Sequence, residues 1–383
     1  MLRSKVRIFK DIVRIKLLFY NEPDDRMFKL RREVYLDNNA TTKPAPGVIK
    51  EMTRVLKKVY GNPSSLYKTS HQSTIIMENA RIQTARAINA EPSEIVFTGC
   101  ATESNNTVLK SLFEHFFPEK NKIVSLPIEH PAVLSTLDYL KWRGAEIAFL
   151  NVNNSGEIDF NEFERLIDDR TFLVSCMNVN NETGIITDIK RAAQIAHSKG
   201  SLFFSDCVQA LGKIPVDVKD SGIDYASFSA HKINGPKGVG ALFVRSGAPI
   251  APFMHGGHQE SGLRAGTEGL HNIAGFGAAC ALVPKKLSMR NHIQKLKDYF
   301  IDQLILNVKG VRINSQGKNF APNTISVVFP GTSNDKLMAA LDFRGISVSA
   351  GSACNTGDNE PSHVLRSIGL TDEDARSTLR FSL

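Results

Sequence analysis

Short apolar runs alternating with helical segments dominate the chain from about residue 94 onward, and this alternation constrains the fold more than any other feature. "EIVFTG", "KIVSLP", "AEIAFL", "TFLVSCMNV", "SLFFSD", "YASFSA" and "GALFVRS" are rich in Val, Ile and Phe and read as strands. Between most of them lie segments of helical character, such as 131–142 and 188–199. Near-continuous apolar strands separated by helices predict a mainly parallel sheet covered on both faces, an α/β architecture. Ligands of such sheets bind at the carboxyl ends of the strands. A long helical stretch, roughly 270–308, comes next. After it, "NTISVVF", a helix near 334–342, "GISVSAGSAC", a short helix near 361–368 and "STLRFSL" predict a second, smaller α+β domain.

Charge and cysteines narrow the function classes. The formal net charge is +8, but residues 1–34 hold ten Lys/Arg against five Asp/Glu. The remaining body is close to balance, and no zinc-finger or RNA-recognition motif occurs, so no direct nucleic-acid partner is expected. Within "MLRSKVRIFKDIVRIKLLFY", Leu2, Val6, Phe9 and Val13 share one helical face, with Arg3, Arg7, Lys10 and Arg14 beside it. This basic amphipathic pattern reads as a transit segment, a surface or partner helix, or a solvated extension. No stretch reaches about 18 uninterrupted apolar residues, so no membrane span is expected. The five cysteines (Cys100, Cys176, Cys207, Cys280, Cys354) are odd in number and lack CxxC spacing. They fit a reducing compartment, and a cytoplasmic location is expected, with organellar targeting by the basic segment as the alternative.

Two motifs are decoys. "NVNNSGEIDFNE" (151–162) has calcium-loop spacing, but it starts with Asn and follows a strand where an EF-hand needs a helix. Its Asn and Gly residues are better read as turn formers. "GPKGVG" lacks the GxxxxGK[ST] pattern of a nucleotide loop. No metal site is expected.

The stretch "SFSAHKINGPKGVG" (227–240) places Lys232 at a strand end and Lys237 in an exposed glycine-rich turn. A lysine that forms an imine must be unprotonated when it attacks, which partial burial at a strand end favours. A pyridoxal phosphate enzyme needs such a lysine, a carboxylate at the pyridine nitrogen and a phosphate cup at a helix N-terminus. Asp206 ends "SLFFSD". "TGCATES" (98–104) lies at a strand-to-helix turn, with Gly99 and Ala101 for close approach and Thr102 as a hydroxyl. Ser229 and His231 flank the lysine, and His130, in "IEHPAV", follows another strand. All fall at carboxyl ends of strands in one sheet.

Eleven ordered blocks run from about residue 34 to the last residue: "YLDNNATT", "GNPSS", "FTGCATESNN", "EHPAV", "NVNNETG", "SDCVQALGK", "SFSAHKINGPKGVG", "HGGHQESGLRAGT", "GSACNTG", "EPSHVLRSIG" and "STLRFSL". On these the chain resembles a cysteine desulfurase, in the class V aminotransferase branch of fold-type I pyridoxal phosphate enzymes. The resemblance implies Lys232 as the Schiff-base lysine, Asp206 at the pyridinium nitrogen and His130 stacked on the ring as a catalytic partner. It implies Asn181 and Gln209 at the ring hydroxyl, and Ala101, Thr102, Ser229 and His231 around the phosphate, with Thr267 supplied by the partner subunit of a homodimer. Arg380 would clamp the carboxylate of the L-cysteine substrate, with Asn38 and Asn39 on the substrate side. Read without the family, Arg366 competes for the clamp role. Cys354, in the polar, small-residue stretch "SAGSACNTGDNEPS", would take the sulfur as a persulfide and release L-alanine. The sulfur would then pass to an acceptor protein, a cluster scaffold or a thiolation enzyme.

The implied organisation is a basic N-terminal extension (1–33), a large cofactor-binding domain (34–270) and a small domain (271–383) that carries Cys354. Residues near 34–50 contribute to the small domain. Three departures stand out: Ala230 where many relatives have Gly, Cys100 at a phosphate-loop position often held by Gly, and a chain that stops at "STLRFSL" where relatives continue into a further helix. An aminotransferase, a selenocysteine lyase and an inactive truncated scaffold copy are the alternative functions.

Overall fold

The computed structural model describes residues 33–351 and 360–383 of the 383-residue chain. The basic segment and Cys354 lie outside the described residues. After β1 (Val34–Tyr35), seven strands form the main sheet: β2 (Ile95–Thr98), β3 (Lys122–Ser125), β4 (Glu146–Phe149), β5 (Thr171–Ser175), β6 (Leu202–Asp206), β7 (Tyr225–Ser229) and β8 (Gly240–Val244). Their order is β2-β8-β7-β6-β5-β3-β4. Strands β3 to β7 run parallel, while β8 is antiparallel to both β7 and β2. β2 therefore points with the parallel set, and Thr98, Ser125, Ser175, Asp206 and Ser229 all finish at one edge.

The apolar runs are continuous because both faces of the sheet are covered. Phe97, Val124, Val174, Phe203 and Phe228 pack into one layer, and Val96, Ile123, Leu173, Phe204 and Tyr225 into the other. This is the alternation a pleated strand imposes. Helix Ala101–Phe116 covers the second layer with Val108, Leu109, Leu112 and Phe113, while helix Ile189–Ser198 covers the first with Ala192, Ala193 and Ala196. Each fully buried Phe of this kind stabilises the fold by about 1.5–3 kcal/mol.

A smaller unit holds β9 (Arg312–Ile313), β10 (Thr324–Val328), β11 (Ile346–Ser347) and β12 (Thr378–Ser382). β10 lies between β12 and β9, antiparallel to both, and β11 pairs in parallel with β1. Its core joins Phe300, Ile325, Val327, Leu341, Leu379 and Phe381, with Val34 and Leu36 packed on it. The stretch 270–308 is three helices, Leu270–Cys280, Val283–Ser288 and Arg290–Asn307. The packing does not change at 270/271: Ile273, Phe276, Cys280 and Val283 belong to the large core, and the small core begins only with Phe300. Gly277 explains this. A Cβ there would stand 2.6 Å from the Ala80 Cα, so the helix lies almost backbone to backbone on helix Lys68–Ala87.

The segment 151–162 forms a tight turn, with Val152 bridged to Ile158 and Gly156 at φ +83°. Asp159 then caps helix Phe160–Leu166. Among the described residues no cluster of His, Cys, Asp or Glu is placed to hold a metal ion, and no helix is long and apolar enough to cross a membrane.

Candidate active site

The strand ends and residues 39–40 enclose a cavity of about 230 Å³. Ala101, Thr102, His130, Asn181, Asp206, Gln209, Ser229, His231, Lys232 and Arg380 line it together with Asn39. Asn38 faces a neighbouring cavity of about 210 Å³, which Lys232 also lines. Its amide donates to the Ser382 carbonyl at 3.0 Å and so anchors the backbone there. Thr267 is exposed and is not among the residues lining its own chain's cavity. Arg366 is exposed too, and its guanidinium grips Asp372 at 2.7 and 3.0 Å.

Lys232 ends a 3-10 turn, Ala230–Lys232, that continues β7. Its Nζ donates to the carbonyls of Asn39 (2.6 Å) and Ala40 (2.8 Å), which hold the amine at the cavity wall. Lys237 is exposed. The glycines around it shape the backbone: a Cβ on Gly240 would stand 2.7 Å from the Phe228 carbonyl oxygen and 2.8 Å from the Cys100 carbonyl carbon. Only glycine lets β8 run this close to the start of helix Ala101–Phe116. Gly240 pairs with both Thr98 and Ser229, which brings the end of β7 beside that helix start.

The helix begins at Cys100 without a side-chain cap. Its first N–H groups, with Cys100, Ala101 and Thr102 on the cavity wall, form a donor set for an anion. Glu103 stiffens this turn: its carboxylate accepts from the Gly99 N–H at 2.8 Å and from Arg264 Nε at 2.9 Å. Ser229 and the His231 ring add polar groups. His231 Nδ1 meets the Thr41 hydroxyl at 3.1 Å. Burial, then the Lys232, Lys237 and Lys213 charges, push its pKa down to about 4, so the ring is neutral.

Asp206, 5% exposed, ends β6. Its Oδ2 accepts from Asn105 Nδ2 at 3.0 Å and its Oδ1 from the Val208 N–H at 3.0 Å. Asn105 stands one helical turn after Ala101, inside the block "FTGCATESNN", and is a positioning group that residue-by-residue reading missed. His130 caps helix Pro131–Trp142, its Nδ1 accepting from the Ala132 N–H at 3.1 Å. That bond leaves the proton on Nε2. Burial lowers the His130 pKa, with Lys232 and His363 acting the same way against Asp206. Glu129, just before it, is fully buried and accepts from the Met177 N–H at 2.5 Å. Burial, then Asp206, raises its pKa well above the usual carboxylate range.

Asn39 is the hub of the other wall. Its amide donates to the Asn181 carbonyl (3.1 Å) and Thr324 Oγ1 (2.9 Å), and its carbonyl accepts from Gln209 Nε2 (2.9 Å) as well as Lys232. Lys213 reaches Asn39 Oδ1 and Gln209 Oε1, both neutral acceptors. Burial first, then Lys232, drops its pKa well below the usual lysine value. Arg380, 2% exposed on β12, donates from Nη1 to the Asn181 carbonyl (2.9 Å) and from Nη2 to Asp37 (2.7 Å). Its buried Nε has no partner among the described residues. A buried, half-used guanidinium beside a cavity is suited to a carboxylate. Together, an amine, a buried carboxylate, an uncapped helix start and a spare guanidinium fit pyridoxal phosphate with an amino-acid substrate. Cys100 is exposed at the cavity, whereas Cys176, Cys207 and Cys280 are buried.

The Aminotransferase class-V family profile matches residues 34–383. A cysteine desulfurase of Klebsiella pneumoniae is 39% identical over 353 residues, which is 92% of this chain and 88% of that protein. The cysteine desulfurase IscS of Dictyoglomus turgidum is 39% identical over 355 residues, 92% of this chain and 90% of its own length. A solved NifS-like protein superposes with a TM-score of 0.87 at 39% identity, covering 92% of this chain and 94% of that one. A solved SspA in complex with cysteine gives 0.82 at 36% identity, with 91% and 98% covered. On the fold, the site and this similarity, the chain belongs to the class-V aminotransferase family, and within it to the cysteine desulfurases.

Proposed function

We propose that this chain takes sulfur from L-cysteine, releases L-alanine and holds the sulfur as a persulfide on Cys354 for transfer to an acceptor protein. The observation that carries this reading is the convergence of Lys232, Asp206, His130 and Arg380 on one cavity. Pyridoxal phosphate, when bound there, supplies the electron sink that labilises the substrate's Cα–H and Cβ–S bonds.

The chain's own residues do the rest. Lys232 supplies the amine that anchors the cofactor and then moves the Cα proton. Asp206, fixed by Asn105, keeps a negative charge at the ring nitrogen. Ala101, Thr102, Ser229 and His231 hold the phosphate end, and Asn181 and Gln209 the ring hydroxyl. Arg380, pinned by Asp37 and the Asn181 carbonyl, orients the substrate carboxylate, with Asn39 beside it. His130, neutral and with Nδ1 occupied, has its Nε2 proton for exchange with the substrate thiol. The Cys354 thiolate attacks the substrate sulfur: an S–S bond forms, the Cβ–S bond breaks, and Cβ takes a proton to become the methyl of alanine. A homodimer completes the site, with Thr267 of each subunit, exposed and away from its own cavity, serving the phosphate of the other. A cluster scaffold or a thiolation enzyme is the proposed acceptor.

The test is a visible spectrum of the purified, cofactor-loaded protein before and after L-cysteine, with alanine assayed in the same sample. Cys354→Ser should keep the spectral response to cysteine while alanine output falls about 100-fold or more. Unchanged alanine output from that variant refutes the assignment. Amino-group exchange with a keto acid, without sulfur release, favours an aminotransferase instead.

A further inference from the structure

Lys213 is an ionisable group that the proposed mechanism leaves without a task. It stands four residues after Gln209, in the turns that follow β6. There the Ala210 and Leu211 N–H groups donate to the Cys207 carbonyl (3.0 and 3.2 Å), and the Lys213 and Ile214 N–H groups to the Ala210 carbonyl (both 3.0 Å). Gly212, at φ +74°, takes a left-handed conformation that only glycine adopts freely. Gln209 lines the cavity of about 230 Å³, whereas Lys213 lines only the neighbouring one of about 210 Å³. From there its Nζ donates to Gln209 Oε1 and, at 3.3 Å, to Asn39 Oδ1.

One end of an amide donates and the other accepts, so a neighbour that captures one end decides what the other offers. Lys213 captures the oxygen of both amides. Gln209 Nε2 is thereby turned to the Asn39 carbonyl, which takes one N–H at 2.9 Å, and its second N–H is available to the cavity. Asn39 Oδ1 also accepts from Asn323 Nδ2 at 3.0 Å, so Asn39 Nδ2 is left to the Asn181 carbonyl and Thr324. The backbone carbonyl of the same Asn39 holds Lys232 Nζ at 2.6 Å. The arrangement needs two N–H groups, which the Lys213 side chain has whether or not it is charged. Charge pairing does not explain its place: burial opposes its charge, and the charged groups that act on it, Lys232, Arg380 and Lys286, oppose it too.

We propose that Lys213 is a positioning residue for the cofactor: by holding Gln209 Oε1 and Asn39 Oδ1 it presents the Gln209 N–H to the ring hydroxyl of bound pyridoxal phosphate. It acts on the cofactor through these two amides. The inference rests on the reading of the cavity as the cofactor site. A donor at the ring oxygen stabilises negative charge there, so a proton shared with that oxygen is held less tightly. The visible absorbance change of the loaded protein then falls at lower pH. A charge on Lys213 would act in the same direction, and the variants separate the two.

The experiment follows the visible absorbance of cofactor-loaded protein against pH, without substrate, in wild type, Lys213→Met, Lys213→Arg, Gln209→Met and the Lys213→Met/Gln209→Met double variant. Asp206, His130, His231 and Arg380 face the cavity in every variant, so their charges cancel in the comparison. Lys213→Met keeps the length of the side chain and removes its donors. Its midpoint should rise by at least about 0.5 pH unit, roughly a threefold change in proton affinity. Lys213→Arg keeps donors and should recover at least half of that rise. On top of Gln209→Met, Lys213→Met should add less than about 0.2 unit. A full rise in that background means that the lysine acts by charge alone, and overturns the inference. So does an unchanged midpoint in Lys213→Met, even where the melting temperature of the cofactor-free variant falls by more than about 3 °C, as a merely structural role would have it. If Lys213→Met does not fold, Lys213→Gln decides: its shorter side chain cannot reach both oxygens, and its midpoint should rise likewise, an unchanged one overturning the inference. A wild type that shows no visible band after loading sinks the reading of the cavity and the inference with it, whereas a band with equal midpoints sinks the inference alone.

Discussion

Replacing Arg380 with lysine isolates the geometry of the proposed carboxylate clamp from its charge. Arginine offers five N–H donors in a plane. In the structure Nη1 serves the Asn181 carbonyl at 2.9 Å and Nη2 serves Asp37 at 2.7 Å, while the buried Nε has no partner among the described residues. Lysine keeps the charge for Asp37 but is a point donor and cannot present two parallel N–H groups to a substrate carboxylate. The variant therefore loses one charge-assisted hydrogen bond to the substrate, a loss of about 1.5–3 kcal/mol. That corresponds to a rise in KM for L-cysteine of roughly 10- to 150-fold. The clamp binds ground state and transition state alike, so kcat should change little. Alanine release measured across cysteine concentrations gives both constants, and a thermal melt controls for folding. A KM within twofold of wild type, in a variant that melts normally, refutes the clamp.

Three further outcomes follow from the geometry. Gly240→Ala drives a Cβ to 2.7 Å from the Phe228 oxygen and 3.0 Å from the Ala101 nitrogen; stability should fall by about 1–3 kcal/mol, read by denaturant midpoint, and cofactor retention should drop with it. In protein freed of cofactor, His231, with its folded pKa near 4 against an ordinary 6.5, binds fewer protons than the unfolded chain between those values. Stability should therefore climb with pH across that window, and His231→Gln should flatten the slope of denaturant midpoint against pH; an identical slope in the variant counts against the buried neutral ring. Burial pushes the thiols of Cys207 and Cys280 up to about 12 and raises that of Cys176. A thiol reagent should accordingly reach Cys100 in the native protein, and Cys176, Cys207 and Cys280 only after denaturation; rapid native labelling of Cys280 contradicts this.

The strands of the main sheet were legible because burial on both faces demands runs such as "TFLVS" and "SLFFSD", and a parallel sheet then dictates where a ligand sits. The direction of β8 was not, since an apolar strand reads the same either way. Helix Leu270–Cys280 joins the large core because Gly277 brings it against helix Lys68–Ala87, a contact made by a partner nearly two hundred residues earlier. Isolated spacing could not show that Asn38 anchors to the Ser382 carbonyl while its neighbour Asn39 is the hub, because both lie in a turn whose partners come from segments distant in sequence. Lys213 and Glu129 were invisible as buried ionisable groups for a related reason: their surroundings come from segments distant in sequence. The resemblance carried Arg380, which composition alone would have left as an ordinary strand residue.

The joint between Asn39 and Ser382 has a bearing on when the protein becomes competent. The Asn39 N–H donates to Ser382 Oγ at 2.9 Å across 343 positions of sequence. On a ribosome, the segment that cradles the lysine amine emerges early and must wait for the strand bearing the guanidinium. A nascent chain can lay down its large sheet with the pocket still open on one side. Cofactor capture and substrate recognition should thus wait until β12 has been made and docked.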